Sequence, residues 1–332
     1  MKYRTLAHTG LRVSEIGFGV WTLSTGWWGK VDPAEAVRLL RKAREKGINF
    51  FDTADTYGNG LGETLLADAF EGVRDEIVIS TKVGYNFYDY ADQRKGQQEI
   101  PQDFSPAYVR RACEESLKRL KTDRIDLYQI HNPKKDAVLR EELYAELEKL
   151  RQEGKIGVWG ASMGPAIGWL EEGTQLLRGR KTPVMQMIYN LLEQNPGREF
   201  FEVGRETGAN FLIRVPHSSG LLEGKYTKDT TFDANDHRSH RKKEWLTTGL
   251  KKLEKLEFLT SGKNRTIGQA ALKYILAEPS VASVFPNIYN ESQIEEFGAA
   301  SEKEDLTREE IERVNDLYDH NFYLEPEKVS VL

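Results

Sequence analysis

Short apolar runs alternate along this chain with longer stretches whose apolar residues recur every three or four positions. The first pattern predicts buried strands, the second amphipathic helices. Ile16 to Val20 predicts a first strand of the main sheet, after a small hairpin around His8-Thr9-Gly10. Asp32-Pro33 opens a helix, with Asp as N-cap and Pro in the first turn. Ala36, Leu39, Leu40 and Ala43 form its apolar face, and Gly47 ends it. Ile48 to Phe51, Glu76 to Thr81 and Ile125 to Ile130 predict the next three strands. Helices are expected at Gly62 to Phe70, from Ser105-Pro106 to about Lys121, and at Leu139 to Arg151.

The second half repeats the alternation. Ile156 to Ala161, Val184 to Met187, Phe211 to Val215 and Val281 to Phe285 are strand-like; helices are expected at Pro165 to Leu177, Pro196 to Thr207, Thr266 to Ala277 and Ser292 to Ala300. Apolar runs alternating with helices imply a parallel sheet covered by helices. Eight such units over 332 residues predict an α/β fold, a (β/α)₈ TIM barrel with an N-terminal β-hairpin. No Pro/Ser-rich linker divides the chain, so residues 1–332 are expected to form a single domain. Tyr85 to Phe104 and Pro216 to about Trp245 are long connections after strands three and seven, where barrels build their sites. A final helix, Arg308 to Tyr318, and the tail to Leu332 are expected to close over the barrel.

An apolar fraction of 39% with a net charge of −5 describes a soluble globular protein. A nucleic-acid footprint would need a basic stripe; the one basic cluster, His237 to Lys243, reads as a solvated loop face. No apolar run reaches the roughly 18 residues of a membrane span, and MKYRTLAHTG lacks a signal-peptide core. The single cysteine, Cys113, suits a cytoplasmic setting and lies at helical spacing with Val109, Ala112, Leu117 and Leu120, as a core thiol.

Phe50-Phe51-Asp52-Thr53-Ala54-Asp55-Thr56-Tyr57-Gly58 ends an apolar run with a carboxylate and a phenol five residues apart. Two more runs end in Lys82 and His131. Each residue alone has a plain reading as cap, turn or solvated strand end. Together, at the ends of strands two, three and four, they are the groups needed to protonate a carbonyl oxygen while hydride attacks the carbon. A free tyrosine has a pKa of about 10, and a nearby ammonium stabilises phenolate. Lys82 would supply that charge to Tyr57, Asp52 would hold Lys82, and His131 would orient the carbonyl.

These segments resemble the aldo-keto reductase superfamily. The resemblance rests on Gly17-Phe18-Gly19-Val20-Trp21, FFDTADTYG with Gly62-Glu63, ISTKVG, DLYQIH, Gly160-Ala161-Ser162, Gln186 within MQMIYNLLEQ, and Gly220-Leu221-Leu222-Glu223-Gly224-Lys225-Tyr226. It covers nearly the whole chain in order. It implies a catalytic tetrad of Asp52, Tyr57, Lys82 and His131 with Tyr57 as acid, and a nicotinamide cofactor extended across the barrel without a Rossmann fold.

The resemblance also places Val20, Trp21 and Asp52 beside the cofactor, with Ser162 and Gln186 on its carboxamide, although Met163 stands where the family has Asn. Arg214 occupies the place of the family's stacking aromatic. It would stack, contact the carboxamide or substrate, or simply form an ion pair. Backbone amides from Pro216 through Ser218 to Gly220, with Lys225, are expected on the pyrophosphate. Tyr289, Gln293 and Glu296 fall at the adenosine end, where this chain lacks the family's cation and Phe297 replaces a usual Asn. NADPH is the expected cofactor, with NADH as the alternative. Trp21, Trp27, Trp28, Tyr85, Phe87 and Tyr88 are candidate substrate contacts beside His131, suiting aldehydes with apolar tails; His217 or Arg214 would instead favour an anionic or hydroxylated substrate.

The expected activity is reduction of aldehydes and some ketones, with a small-molecule substrate, no nucleic acid, membrane or metal, and the oligomeric state left open. Two alternatives share the residues: a sugar or polyol dehydrogenase working oxidatively, and a cofactor-sensing regulatory subunit with slow turnover. The lack of an extension before Met1 is read against the second. The scattered histidines are read against a divalent-metal hydrolase.

Overall fold

The structure is a computed structural model that describes residues 1–6, 9–91, 98–164 and 169–324. Strands β1 (Tyr3–Thr5) and β2 (Arg12–Ser14) pair antiparallel as an N-terminal hairpin, Tyr3 opposite Ser14. His8, at the expected turn, lies outside the described residues. Eight parallel strands follow in sequence order: β3 (Phe18–Gly19), β4 (Phe50–Asp52), β5 (Val78–Val83), β6 (Ile125–His131), β7 (Ile156–Ser162), β8 (Val184–Ile188), β9 (Asn210–Arg214) and β10 (Val281–Phe285). The ring closes where Ile16 bridges Val284 in parallel; Gly17 N–H donates to the Val284 carbonyl, and Val284 N–H to that of Glu15, at 2.9 Å each. This is the expected TIM barrel.

The pleat decides what faces inward. Successive strand residues alternate sides, so residues two apart share a face. Phe50, Val78, Leu127, Val158, Val184 and Leu212 form one buried apolar cluster, joined by Leu6 and Val13 from the hairpin end of the chain. Two positions further along the same faces stand Asp52, Ser80, Gln129, Gly160, Gln186 and Arg214, and two further again Lys82, His131 and Ser162. The inner face therefore changes from apolar to polar towards the C-terminal ends of the strands. The opposite strand faces pack with the surrounding helices in the main core.

Helix signals hold where cap chemistry is explicit. Asp32 accepts from Ala34 N–H at the start of Pro33–Glu45, and Ser105 from Tyr108 N–H at the start of Pro106–Leu120. Cys113, within the latter helix, is fully buried, and burial pushes its thiol up to about 12. The third barrel strand differs from expectation: it begins at Val78 and runs through Lys82 to Val83. Arg74–Glu76 forms a 3₁₀ turn instead, tied down by the Arg74 guanidinium, which donates to the carbonyls of Ile77 and Arg124 and to Asp126 at 2.8–3.1 Å.

The helix expected from Pro165 is described only as Leu170–Thr174 running into a π-helical turn, Gln175–Gly179; residues 165–168 lie outside the described residues. The last helix, Arg308–Asp319, carries a Thr307/Glu310 capping box. It joins the outer helices through Arg198 to Asp319 (2.6 Å) and Tyr274 to Asn315 (2.7 Å). Residues 325–332 of the expected closing tail lie outside the described residues.

Candidate active site

At the C-terminal mouth, Asp52 and Lys82 are brought together from neighbouring strands. Lys82 is fully buried, and its ammonium donates to Asp52 Oδ1 and to the Thr53 carbonyl, both at 2.6 Å. Gln129, on β6, donates to Asp52 Oδ2 at 3.2 Å and to Ser80 Oγ at 2.8 Å. Tyr57 is half-buried above this pair: Lys82 Nζ lies 5.1 Å from its ring centroid. His131, 7% exposed, sets its ring edge-on to Tyr57 at 5.8 Å and to Tyr85 at 5.1 Å. The four groups singled out in the sequence thus share one pocket mouth.

Local turns aim Tyr57. Its amide donates to the Ala54 carbonyl, and its own carbonyl accepts from Gly62 N–H at the start of the helix Leu61–Ala69. Gly58 follows with φ +59°, and a Cβ there would sit 2.3 Å from the Ser24 carbonyl oxygen. Beneath this loop lies a buried network that sequence reasoning did not single out. Glu63 accepts from Thr81 Oγ1 and from Arg119 Nε, both at 2.6 Å. Asp55 is fully buried nearby, and burial, with Glu63 beside it, holds its carboxyl well above the usual range.

On the opposite rim, Ser162 donates to Gln186 Oε1 at 3.0 Å. Gln186 Nε2 is buried and has no acceptor among the described residues. A donor so placed fits a carbonyl oxygen such as that of a carboxamide, so these residues fit a nicotinamide group. Arg214 ends β9 between Ile188 and Phe285, and its Nη2 donates to the Met163 carbonyl at 3.0 Å. Among the described residues it makes no ion pair with a carboxylate, so the plain reading of Arg214 as an ion-pair residue is not what the structure contains.

The segment after β9 is tightly wound: Val215, Ser218, Ser219 and Gly220 all have positive φ, which is costly for β-branched Val215. Of the amides expected to face a pyrophosphate, Pro216 has none, and those of Ser218 and Gly220 already donate to Val215 and His217 carbonyls. His217 and Ser219 supply the remaining N–H groups of that run. Lys225 Nζ stands 3.8 Å from Glu223 Oε2, which also accepts from Gln293 at 3.1 Å. Burial raises the Glu223 carboxyl, with Lys225 opposing. Gln293 Oε1 accepts from Tyr289 N–H, and Glu296 accepts from Thr266 Oγ1 at 2.7 Å. The residues expected at the adenosine end are thus gathered, carboxylates included.

The aromatic candidates divide. Trp21 lies edge-on to both Trp27 and Trp28 at 5.9 Å. Tyr85 faces His131 and also belongs to the loop's own cluster with Phe87 and Ile100, against which Tyr88 packs, 4.1 Å from Phe87. The expectation of a solvated His237 to Lys243 face holds for Ser239, His240, Lys242 and Lys243, which are exposed, but needs correction at His237 and Arg238. His237 N–H donates to the Trp27 carbonyl at 2.6 Å, and the Arg238 guanidinium stacks 4.0 Å over Trp28 and 4.6 Å over Phe232. A guanidinium's flat, weakly hydrated face suits such packing. Basic composition alone does not separate it from a solvated loop.

Among the described residues, no cluster of three His, Cys, Asp or Glu side chains could hold a metal ion, and no helix is long and apolar enough to cross a membrane.

Residues 15–319 match the model of the Aldo/keto reductase family. The uncharacterized oxidoreductase YqkF of Bacillus subtilis (strain 168) is 31% identical over 314 residues, covering 94% of each chain. The holo form of aldo-keto reductase AKR11C1 from Bacillus halodurans is 31% identical, with a TM-score of 0.76 over 96% of each chain. The glycerol dehydrogenase AKR11B4 from Gluconobacter oxydans is 27% identical, with a TM-score of 0.80 over 97% of this chain and 96% of that one.

Proposed function

The chain belongs to the aldo/keto reductase family of oxidoreductases acting on carbonyl and alcohol groups, and we propose that it is an NADPH-dependent reductase of aldehydes and some ketones. The observation that carries the proposal is the convergence of Asp52, Lys82, Tyr57 and His131 at one barrel mouth. The nicotinamide cofactor, when bound, supplies hydride to the carbonyl carbon. Ser162 and Gln186 would hold its carboxamide, the 216–225 segment its pyrophosphate, and Tyr289, Gln293 and Glu296 its adenosine end.

Tyr57 donates its proton to the carbonyl oxygen as hydride arrives at the carbon, so the product is the alcohol. Lys82 stabilises the charge left on the Tyr57 oxygen until a proton returns from solvent. Asp52 holds Lys82 in place, and His131 orients the carbonyl. Such acid catalysis contributes roughly a hundred- to ten-thousand-fold, and positioning supplies much of the rest. Trp21, Trp28 and Tyr85 favour aldehydes with apolar tails. A second reading runs the same residues in reverse on a polyol, and the likeness to a glycerol dehydrogenase favours it.

The test follows absorbance at the reduced-nicotinamide band with NADPH, and separately NADH, across a panel of aldehydes and ketones. Fast NADPH oxidation with apolar aldehydes, reduced at least a hundredfold in Tyr57→Phe while cofactor binding survives, is expected. Retained activity in that variant would overturn the acid assignment. Tight binding without turnover in the wild type would move the protein to a regulatory role.

A further inference from the structure

The rim between β7 and β9 carries a charge that the proposed reaction does not use. Arg214 shares its inner face with Gln186 and Ser162, and its Nη2 is occupied by the Met163 carbonyl. Its Nε is buried and has no hydrogen-bond acceptor among the described residues, like Gln186 Nε2 on the neighbouring strand. The nearby anionic groups are already engaged. Asp52 is matched by Lys82 at 2.6 Å, and Glu193 accepts from Asn190 Nδ2 at 2.8 Å and Ser218 Oγ at 3.0 Å. The mouth therefore holds two cations, Lys82 and Arg214; of the carboxylates that act on Arg214, Asp52 is paired with Lys82, while Glu193 keeps its charge but makes no ion pair with Arg214 among the described residues. A guanidinium keeps its proton throughout the working range.

A nicotinamide ring differs in charge between its two redox states: the dihydropyridine is neutral and the oxidised pyridinium is cationic. A carboxamide held at Ser162 and Gln186 brings that ring beside Arg214. We propose that Arg214 makes this protein selective for the redox state of its cofactor, binding the reduced form and repelling the oxidised one. The inference rests on the cofactor reading above. Its consequence is directional: oxidised cofactor leaves readily and the site refills with reduced cofactor, so carbonyl reduction is favoured over alcohol oxidation. Like unit charges a few ångström apart, at an effective dielectric of about 20 and with some solvent screening, shift an affinity ratio by about ten- to a hundredfold.

The test measures dissociation constants for NADPH and NADP⁺ by calorimetry and tryptophan quenching, without substrate. Wild type is expected to bind NADPH about ten- to a hundredfold more tightly than NADP⁺. Arg214→Met should bring the ratio to within about threefold of one, mainly by tightening NADP⁺, whereas Arg214→Lys should keep most of the preference. Arg214→Gln, which retains a donor for the Met163 carbonyl, serves if the methionine variant does not fold. Equal wild-type affinities, or an unchanged ratio in the neutral variants, would overturn the inference and leave the reductase reading standing. Failure of wild type to bind either cofactor, NADH and NAD⁺ included, would overturn both.

Discussion

Lys82 and Asp52 form a buried pair on adjacent strands, 2.6 Å from ammonium nitrogen to Oδ1, with the same ammonium capping the Thr53 carbonyl. Breaking a buried pair from one side strands the other charge, which costs about 3–5 kcal/mol. Lys82→Met should therefore lose turnover and a similar amount of stability. The double variant Asp52→Asn with Lys82→Met should recover part of that stability and none of the activity. Urea denaturation beside single-turnover kinetics checks this; a double variant no more stable than Lys82→Met alone would count against it.

Gln129, paired with Lys82 across β5 and β6, joins Asp52 Oδ2 to Ser80. Gln129→Leu removes both bonds and leaves Asp52 with less to orient it. The expected result is a fall in kcat of roughly tenfold with KM little changed, alongside about 1–2 kcal/mol of lost stability. Steady-state kinetics decides: a change confined to KM would give Gln129 a different role.

Tyr57 depends on the glycine that follows it. At Gly58 the backbone is left-handed and a side chain would collide with the Ser24 carbonyl, which is backbone and cannot swing aside. Gly58→Ala should displace Tyr57 and cut turnover by tenfold or more, roughly what a misplacement of about 1 Å costs. Cofactor affinity, read by fluorescence titration, should change far less than kcat.

His217 carries a pH signature separate from the chemistry. It is fully buried, with Nε2 3.1 Å from the Gly268 carbonyl and Phe297 4.5 Å away. Burial depresses it to about 4, from an ordinary value near 6.5. The unfolded chain thus binds a proton that the folded chain refuses as pH falls from about 6.5 to about 4. Stability present above that window is lost through it, by up to roughly 3 kcal/mol from this group. Denaturant midpoints between pH 7 and pH 4 should fall less steeply for His217→Gln than for wild type.

The barrel and most of the mouth were legible for one physical reason. Strand residues alternate faces, so an apolar run that ends in Asp52, Lys82 or His131 announces both a strand and the group at its C-terminal end. Gln129 and Asp55 stand inside the very motifs that were read, yet they passed as filler. Burial, not local pattern, sets both apart: Gln129 bonds Asp52 and Ser80, whereas the Asp55 carboxyl is buried with no hydrogen-bond partner among the described residues. Arg238 shows the converse: its charged neighbours suggested solvent, and only the fold brings Trp28 and Phe232 beneath it.

By itself the sequence determined the order of strands and helices, the capped helix starts and the identity of the polar residues at the strand ends, because these follow from local periodicity and cap chemistry. Tertiary structure alone decided which of those residues meet. Closure through Ile16 and Val284 sets the ring, strand register sets Lys82 on Asp52 and Ser162 beside Gln186, and the end of β9 sets Arg214 on the Met163 carbonyl with no ion pair among the described residues. Those are distances between residues far apart in the chain, and no local pattern encodes them.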